Sequence, residues 1–315
     1  KPVEFDVYLA HTGDIQGQIE EGIGIGFAKL ATGVKYGRAV GGKTLLLDAG
    51  NATSGSDLAE KFAGEPVGVL FDLLGYDAVA VGAKDFAYGA GRLVEAAALS
   101  EAYGGPAVLS ANVLDAQGRM VFDGYEVFDV GGFAVGVIGL TAPADAAGYS
   151  FLDEAVVANA QAMVDAVAAE SDYVVVLGSL GTVMGYDVEY LAENVKGIDL
   201  IVEGSSYDAP AGGKRVGDTL IVSVDAGLQS VGVVQVHVVD GEAEASYAAR
   251  IDASDVKNPA ASDLAKMFGV GFVPADKEAQ AYIDYAKAQL DKVLKAEKAA
   301  AEKAAAERAV KLAAE

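Results

Sequence analysis

Residues 8–17, Tyr-Leu-Ala-His-Thr-Gly-Asp-Ile-Gln-Gly, connect an apolar segment to a glycine-bounded turn that carries one carboxylate. Apolar and polar residues alternate from Val3 to Leu9, which predicts a β-strand that ends just before the turn. Asp14 would therefore lie at the carboxyl end of a strand, where a short side chain can project into a crevice of the sheet. The alternative interpretation is that Asp14 only caps the turn.

Four later segments have the same character, since each places small or polar residues directly after an apolar run. They are residues 47–51 (Leu-Asp-Ala-Gly-Asn), 81–86 (Val-Gly-Ala-Lys-Asp-Phe), 177–181 (Leu-Gly-Ser-Leu-Gly) and 202–207 (Val-Glu-Gly-Ser-Ser-Tyr). With the first turn they resemble, in order and spacing, the five signature motifs of the calcineurin-like metallophosphoesterases, which read roughly HTNDxHG, DAGD, GNHEFDYG, SHLG and GGHSH. The similarity is greatest to the amino-terminal domain of bacterial 5'-nucleotidases and UDP-sugar hydrolases, and it covers most of Val3 to Ile251.

The resemblance implies a dinuclear metal centre, which needs clustered oxygen and imidazole ligands to hold two divalent ions. In this chain only Asp14 matches one of the family's ligands. The other positions of the vestigial site are Gln16, Asn51, Ala83, Lys84, Ser179, Ser205 and Tyr207. Amides and hydroxyls are weak substitutes for carboxylate and imidazole, and a protonated lysine cannot coordinate a cation. We therefore expect a site that holds no metal and no cofactor.

The order of the predicted elements indicates an α/β fold. Predicted helices span residues 22–35, 66–74, 91–103, 153–170 and 187–194, and predicted strands span residues 45–47, 78–81, 108–110, 125–130, 133–140, 173–177 and 200–202. Residues 219–224, 232–239 and 242–250 indicate an antiparallel meander. This order, together with the resemblance, predicts a four-layer sandwich of two mixed sheets flanked by helices.

The composition changes after Pro259, which divides the chain into a metallophosphoesterase-like domain (residues 1–258) and a linker with an extended helical arm (residues 259–315). Apolar residues between Glu278 and Leu294 predict a helix, which resembles the one that leads to a second domain in the nucleotidases. The Ala-, Lys- and Glu-rich residues that follow favour a solvated helical spacer over a coiled-coil strand, because heptad apolar positions are absent. We expect truncation after Leu294 to leave the stability nearly unchanged.

The composition disfavours several classes of function. With 23 Lys and Arg against 46 Asp and Glu, the formal charge of -23 opposes binding to nucleic acid or to an anionic membrane surface. No apolar run has the length of a transmembrane segment, and the chain has no Cys for a disulfide framework or a thiolate metal site. His11 and His237 are interpreted as structural, because no nucleophile elbow is present. A start at Lys1 without an apolar leader indicates a removed signal segment or a fragment.

The loss of metal ligands leads to two expectations for the crevice. Lys84 should pair with Asp14, because a buried carboxylate without a metal needs another partner; the alternative is that Lys84 points to solvent. Gln16 and Asn51 should donate amide hydrogen bonds to the same carboxylate. The second expectation is an aromatic pocket that either binds a small planar ligand or merely fills space. Its candidate residues are Phe86, Tyr88, Tyr186 and Tyr207.

Two interpretations of function follow, and they belong to different classes. The first is a non-catalytic 5'-nucleotidase-like domain, extracytoplasmic by resemblance, that acts as a binding or scaffold protein for an unidentified small molecule or protein. The second is a divalent-metal-dependent phosphohydrolase of the 5'-nucleotidase type with a rebuilt metal site. The ligands of that rebuilt site would come from Asp14, Asp48, Asp85, Asp187 and Asp208. The first is favoured, because this catalysis needs several ligands held at once and only one family carboxylate is retained.

Overall fold

Two six-stranded mixed sheets face each other, and helices cover their outer faces. The computed structural model describes residues 2–151, 156–181, 187–204, 207–259 and 273–314. The strands are β1 (Glu4–Thr12), β2 (Thr44–Asp48), β3 (Ala78–Ala80), β4 (Ala107–Leu109), β5 (Val113–Asp115), β6 (Tyr125–Asp129), β7 (Ala134–Thr141), β8 (Tyr149–Phe151), β9 (Tyr173–Ser179), β10 (Leu200–Glu203), β11 (Lys214–Val216), β12 (Thr219–Ser223), β13 (Ser230–Val239) and β14 (Glu242–Asp252). The helices are α1 (Phe27–Gly41), α2 (Asp57–Phe62), α3 (Glu65–Leu74), a 3-10 helix (Ala83–Tyr88), α4 (Ala90–Ala102), α5 (Val156–Ala168), α6 (Val188–Asn194), α7 (Ala253–Lys257) and α8 (Lys277–Ala314). The predicted α/β four-layer sandwich is confirmed.

The pairing of the strands places polar turns at one edge of each sheet. The first sheet has the order β14-β13-β1-β2-β3-β4, with β1 to β4 parallel and the hairpin β13-β14 antiparallel beside them. The second sheet has the order β11-β12-β10-β9-β7-β6, in which β7, β9, β10 and β12 are parallel. Each parallel set directs its carboxyl ends to one edge, where side chains can project beyond the paired backbone.

Three apolar layers hold the sandwich together, because each sheet and each helix has an apolar face to bury. The middle layer lies between the sheets and includes Leu9, Leu47, Val175, Val202 and Val236. The outer layers join the first sheet to α1, α3 and α8, and the second sheet to α5 and α6. Full burial of an aliphatic side chain of this size contributes about 1.5–3 kcal/mol, so the layers fix the positions of the strand ends.

Helix α1 differs from its prediction over residues 22–35. It begins only at Phe27, because Gly26 adopts φ 76° and the chain folds back there. A Cβ atom at Gly26 would lie 2.5 Å from the backbone nitrogen of Glu21, so this reversal requires glycine. The helix then continues past the predicted end to Gly41. The glycine-rich residues before Phe27 therefore form a loop.

The predicted antiparallel meander over residues 219–250 is wrong in its first strand. Strands β13 and β14 form the expected antiparallel hairpin, but β12 lies in the second sheet, parallel to β10. Alternation identifies a strand but not its neighbour, because the pairing depends on residues distant in the chain. Helix α2 has no counterpart among the predicted elements, although the Ser56 side chain caps it by accepting the amide of Ala59 at 3.1 Å. The start of the predicted helix 153–170 lies outside the described residues.

Helix α8 runs without a break for 38 residues. Ile283 and Ala286 are buried in the layer that also holds α1 and α3, so the first part of α8 belongs to the packed fold. Beyond Leu294 the described side chains are exposed, although Glu297 pairs with Lys61 of α2 at 2.8 Å. The domain boundary drawn from composition stays a prediction. Among the described helices, none combines the length and the apolarity that crossing a bilayer requires.

Candidate functional site

The turns that follow β1, β2, β3 and β10 meet at the candidate site. The backbone amide of Asp14 donates to the carbonyl of Gly50 at 2.9 Å, which joins the first two turns. The turn after β10 approaches them at Gly204, where a Cβ atom would lie 2.2 Å from the carbonyl oxygen of Ala49. Only glycine permits this approach. Strand ends from both sheets therefore come together in one crevice.

Three non-glycine residues of these turns have left-handed backbone conformations. The φ angle is 46° at Asp14, 56° at Gln16 and 58° at Asn51. Asp and Asn tolerate this region better than most residues, whereas Gln has no such advantage. Such conformations cost on the order of 1–3 kcal/mol each and persist only where the surrounding contacts enforce them. Because strain of this kind clusters at functional sites, these turns are the strongest candidate in the fold.

The carboxylate of Asp14 has a partner on each oxygen. Lys84 Nζ lies 2.9 Å from Oδ1, and the side-chain amide of Gln16 donates to Oδ2 at 2.8 Å. The side chain of Asp14 is only 7% exposed, whereas that of Lys84 is 50% exposed. The ion pair expected from the sequence is confirmed, together with the contact of Gln16, and the alternative of a solvated Lys84 without a partner is wrong.

Asn51 does not donate to Asp14, contrary to the expectation. Its side-chain oxygen accepts the backbone amide of Lys84 at 2.9 Å, and its side-chain nitrogen donates to the carbonyl of Gly204 at 3.3 Å. These backbone groups lie beyond the ends of their strands, so the sheets no longer pair them and a side chain must do so. Asn51 thus ties the turns after β2, β3 and β10 together.

Asp85 completes this network from the turn after β3. Its carboxylate accepts four hydrogen bonds of 2.7–2.9 Å, from the backbone amides of Asn51, Gly82 and Thr53 and from the Thr53 hydroxyl. The backbone carbonyl of Lys84 accepts the Ser54 hydroxyl at 2.8 Å. A buried carboxylate with four donors has a structural role and little capacity left for a metal ion.

Asp48 ends β2 below the crevice and is fully buried. Its carboxyl group accepts the Thr12 hydroxyl at 2.7 Å and the amide of Gly50 at 2.8 Å. Burial raises the pKa of Asp48 from 3.8 to about 7; the two hydrogen bonds oppose this shift, and the nearby charges of Asp85 and Asp14 add to it. A group with this pKa is partly protonated at neutral pH and is a weak ligand for a cation.

Glu203 is a buried acid that the sequence analysis does not single out. It ends β10, and its carboxylate accepts the amide of Gly181 at 3.4 Å. The signal was present in the sequence, because an acid directly after three aliphatic residues of a buried parallel strand departs from the apolar composition of such strands. With Asp14, Asp48 and Asp85, it brings the number of buried carboxylates at these strand ends to four.

The residues present do not fit a dinuclear metal centre. Both oxygens of Asp14 have partners, and one partner is an ammonium that repels a metal cation. The side-chain oxygen of Asn51 accepts an amide, and Asp85 already accepts four donors. In the described part of the chain, no three His, Cys, Asp or Glu side chains are arranged to hold an ion. The donor chemistry at these turns therefore disagrees with the metal centre that the motifs imply.

Ala83 and Ser179 are further predicted residues whose backbone the structure describes. Ala83 adjoins Lys84 at the start of the 3-10 helix and carries no polar group, and Ser179 is the last residue of β9. Ser205 and Tyr186 lie outside the described residues. Two acids proposed for a rebuilt metal site, Asp187 and Asp208, have other environments. Asp187 caps α6 by accepting the amide of Tyr190 at 2.8 Å, and Asp208 is exposed.

Three of the aromatic residues predicted to line a pocket, Phe86, Tyr88 and Tyr207, lie in the described part of the chain, and the pocket stays a prediction. Phe86 is buried and packs edge to face against Phe151, with 5.5 Å between the ring centroids. Tyr88 donates to Glu60 of α2 at 3.3 Å, and Tyr207 donates to a carboxylate of α6 at 2.7 Å. The partners of these three rings lie on three different elements, β8, α2 and α6.

An apolar cavity of about 360 Å³ lies elsewhere, between α1 and the outer face of the first sheet. Gly33 and Gly37 line it from the helix, and Tyr8 and Val233 line it from the strands. None of the predicted site residues contributes to this cavity, so it is separate from the crevice at the strand ends.

Known 5'-nucleotidases are similar in sequence to this chain. A 5'-nucleotidase of Bos taurus is 28% identical over 227 residues, which cover 64% of this chain and 38% of that protein. A 5'-nucleotidase of Vibrio cholerae is 34% identical over 104 residues, which cover 33% of this chain and 18% of that protein. This chain thus spans less than half the length of the curated relatives it matches. No protein-family model matches it.

Solved structures show the same architecture. The 5'-nucleotidase precursor of Thermus thermophilus superposes with a TM-score of 0.74 at 25% identity, over 92% of this chain and 60% of that one. The calcineurin-like phosphoesterase YfkN of Bacillus subtilis superposes with a TM-score of 0.73 at 18% identity, over 93% of this chain and 100% of that one. The paired mixed sheets, the five ordered turns and these similarities agree. The chain is similar in sequence to 5'-nucleotidases and has the fold that the amino-terminal domain of 5'-nucleotidases shares with calcineurin-like phosphoesterases.

Proposed function

We propose that this chain is a non-catalytic 5'-nucleotidase-like domain that acts as a binding or scaffold protein outside the cytoplasm. The proposal depends on one observation, the contact of Asp14 with both Lys84 and Gln16. Metal-dependent phosphohydrolases use their ions to activate water and to neutralise the charge of the phosphate. An ammonium and an amide on the one matching carboxylate supply no open coordination position for such an ion.

The partner of this domain is a small molecule or a protein. The formal charge of -23 opposes association with nucleic acid, because phosphate backbones are repelled. The similarity to 5'-nucleotidases supports the position outside the cytoplasm, which is tested by immunoblotting of separated cell fractions. Recovery of the chain with the cytoplasmic fraction alone would contradict it.

The exposed part of α8 supports a scaffold role. From Leu294 to Ala314 the helix extends for about 30 Å, at 1.5 Å per residue, and its described side chains are exposed. Its Ala, Lys and Glu residues have high helix propensity, so this part behaves as a semi-rigid spacer. A spacer of this kind would hold the folded domain at a distance from a partner bound at its far end.

The decisive experiment combines elemental analysis with a hydrolysis assay. Protein purified without chelator should contain no stoichiometric Mn, Zn, Fe, Ca or Mg. It should hydrolyse neither p-nitrophenyl phosphate nor nucleoside monophosphates when these ions are added. The Asp14→Asn variant is the control, because hydrolysis that survives this substitution comes from a contaminant.

A metal-dependent phosphohydrolase with a rebuilt site is the second candidate. Its support is the convergence of Asp14, Asp48, Asp85 and Glu203 on neighbouring strand ends. Metal bound in stoichiometric amount, together with hydrolysis that is lost in Asp14→Asn, would establish this candidate and reject the non-catalytic proposal.

A further inference from the structure

Negative charge is concentrated at the turns after β1, β2 and β3. Asp14, Asp48 and Asp85 are all buried there. Among the described residues, Lys84 is the only Lys or Arg that forms an ion pair with any of these three acids. Removing a carboxylate from water is costly unless an opposite charge or several donors compensate it. Asp85 accepts four hydrogen bonds and Asp48 accepts two, whereas Asp14 accepts the amide of Gln16 and the ammonium of Lys84. Asp14 is therefore the acid that most needs a cation, and Lys84 supplies one.

The backbone of Lys84 is held in place independently of its ammonium group. Its amide donates to the side chain of Asn51 at 2.9 Å, and its carbonyl accepts the Ser54 hydroxyl at 2.8 Å. Both partners belong to the turn after β2, whereas the ammonium contacts Asp14 in the turn after β1. Lys84 itself lies in the turn after β3. Its backbone contacts the turn after β2 and its ammonium contacts the turn after β1, so Lys84 links three turns.

The ammonium of Lys84 also contacts a residue whose backbone conformation is strained. Asp14, Gln16 and Asn51 all have positive φ angles, and Asp14 receives the ammonium directly while Gln16 donates to the same carboxylate. The contact of Lys84 with Asp14 joins the turn after β3 to the turn after β1, at the strand ends where the sequence motifs imply a divalent ion.

We propose that the Lys84 ammonium is a built-in cation, which stabilises these turns as a bound metal ion would and excludes a metal from Asp14. The inference deepens the proposed non-catalytic function and rests on it in one respect, since both require Asp14 to carry no metal. Lys84 is a positioning residue, because it acts on the fold through Asp14. The ammonium and a metal ion compete for the same carboxylate oxygen, so each should exclude the other.

The test is the thermal unfolding of wild type and of Lys84→Met, with and without millimolar MnCl₂. Methionine keeps most of the aliphatic length and removes the charge. We expect the Tm of the variant to fall by about 2–4 °C, a modest value because Lys84 is half exposed. Mn²⁺ should recover about half of this loss, since an ion that binds only the folded form raises the Tm. The wild-type Tm should not respond to Mn²⁺.

Lys35→Met is the matched control. Lys35 pairs with Asp276 at 2.6 Å, and the two side chains are 53% and 15% exposed, close to the values for Lys84 and Asp14. Lys35 lies on α1 and Asp276 directly precedes α8, away from the strand ends, so the Tm of Lys35→Met should not respond to Mn²⁺.

A double variant, Asp14→Asn with Lys84→Met, separates loss of charge balance from loss of the side chain. It should be more stable than Lys84→Met alone and should not respond to Mn²⁺, because no unpaired carboxylate remains. If Lys84→Met does not fold, folding of the double variant supports the proposal. If neither folds, the side chain rather than its charge is required, and the proposal is overturned.

Two further results would overturn the proposal. One is an unchanged Tm for Lys84→Met together with no response to Mn²⁺. The other is a wild-type Tm that rises with Mn²⁺ as much as that of the variant, because the ammonium would then exclude nothing. Hydrolysis of a phosphate ester by the wild type would contradict the proposed function, but it would leave the Tm comparison intact, since that comparison involves no substrate.

Discussion

The Thr12 hydroxyl donates to the Asp48 carboxyl group at 2.7 Å across the parallel pair of strands β1 and β2. The same hydroxyl lies 2.9 Å from the phenol oxygen of Tyr76. All three groups are buried directly below the turns of the candidate site. The carboxyl group of Asp48 thus has hydrogen-bond partners but no opposite charge beside it. Its burial without a counterion favours the neutral form.

Asp48→Asn should therefore remove a pH-dependent loss of stability. The folded pKa of about 7 exceeds the unfolded value of 3.8, so the folded state binds this proton more tightly. The contribution of Asp48 to the unfolding free energy consequently falls as the pH rises from about 4 to about 7, by at most about 4 kcal/mol. Urea unfolding at several pH values should show wild type losing stability relative to the variant across this range. Parallel pH profiles would contradict the prediction.

His11→Phe should show that His11 changes the unfolding free energy with pH in the direction opposite to Asp48. His11 is buried, its Nδ1 has no partner among the described residues, and burial lowers its pKa from 6.5 to about 4. The unfolded chain binds this proton first, so wild type loses stability as the pH falls from about 6.5 to about 4, by at most about 3 kcal/mol. The variant should lack this loss in urea unfolding. A loss of equal size in His11→Phe would assign it to other groups.

The contributions of Asp48 and His11 oppose each other over nearly the same pH range. The wild-type profile should therefore be flatter than the profile of either variant. Combining both substitutions should restore a flat profile, which tests whether the two effects are independent.

Gly82→Ala should destabilise the crevice. A Cβ atom there would lie 2.2 Å from the backbone nitrogen of Asn51 and 2.3 Å from its side-chain oxygen, so the turn after β2 would have to move. We expect a loss of about 1–3 kcal/mol in unfolding free energy, as for other overpacked sites. Gly37→Ala is the control, because no atom lies within 4 Å of its Cβ position in α1. It should stabilise by about 0.4–1 kcal/mol, and equal effects of the two substitutions would refute the steric argument.

Truncation after Leu294 should change the stability by no more than about 1 kcal/mol. Truncation removes the ion pair of Glu297 with Lys61. This pair is weak, because both side chains are substantially exposed. Ile283→Ala is the contrasting variant, since Ile283 is buried in the core beside α1 and α3. It should cost about 2–5 kcal/mol. Chemical denaturation of both proteins checks the prediction, and a large loss on truncation would show that the arm packs on the domain.

Much of the candidate site was predictable from local patterns. The five turns indicated the fold through their resemblance to the metallophosphoesterase motifs, and their positions at the ends of parallel strands placed them at one edge. The resemblance placed Lys84 and Asp14 in one crevice, and the need of a buried carboxylate for a partner then favoured their pairing over a solvent-facing Lys84. The role of Asn51 was not, because its bond to Gly204 joins residues 153 positions apart.

The sequence by itself determined the class of fold, the order of most strands and helices, and the position of the acid that Lys84 neutralises. Only the tertiary structure decided the start of α1, the sheet to which β12 belongs, the burial of Glu203 and the contact partners of Phe86, Tyr88 and Tyr207. The physical reason is the same in each case. Apolar periodicity and turn chemistry are local properties of the chain, whereas strand neighbours, backbone approach and side-chain partners depend on residues that meet only when the two sheets pack.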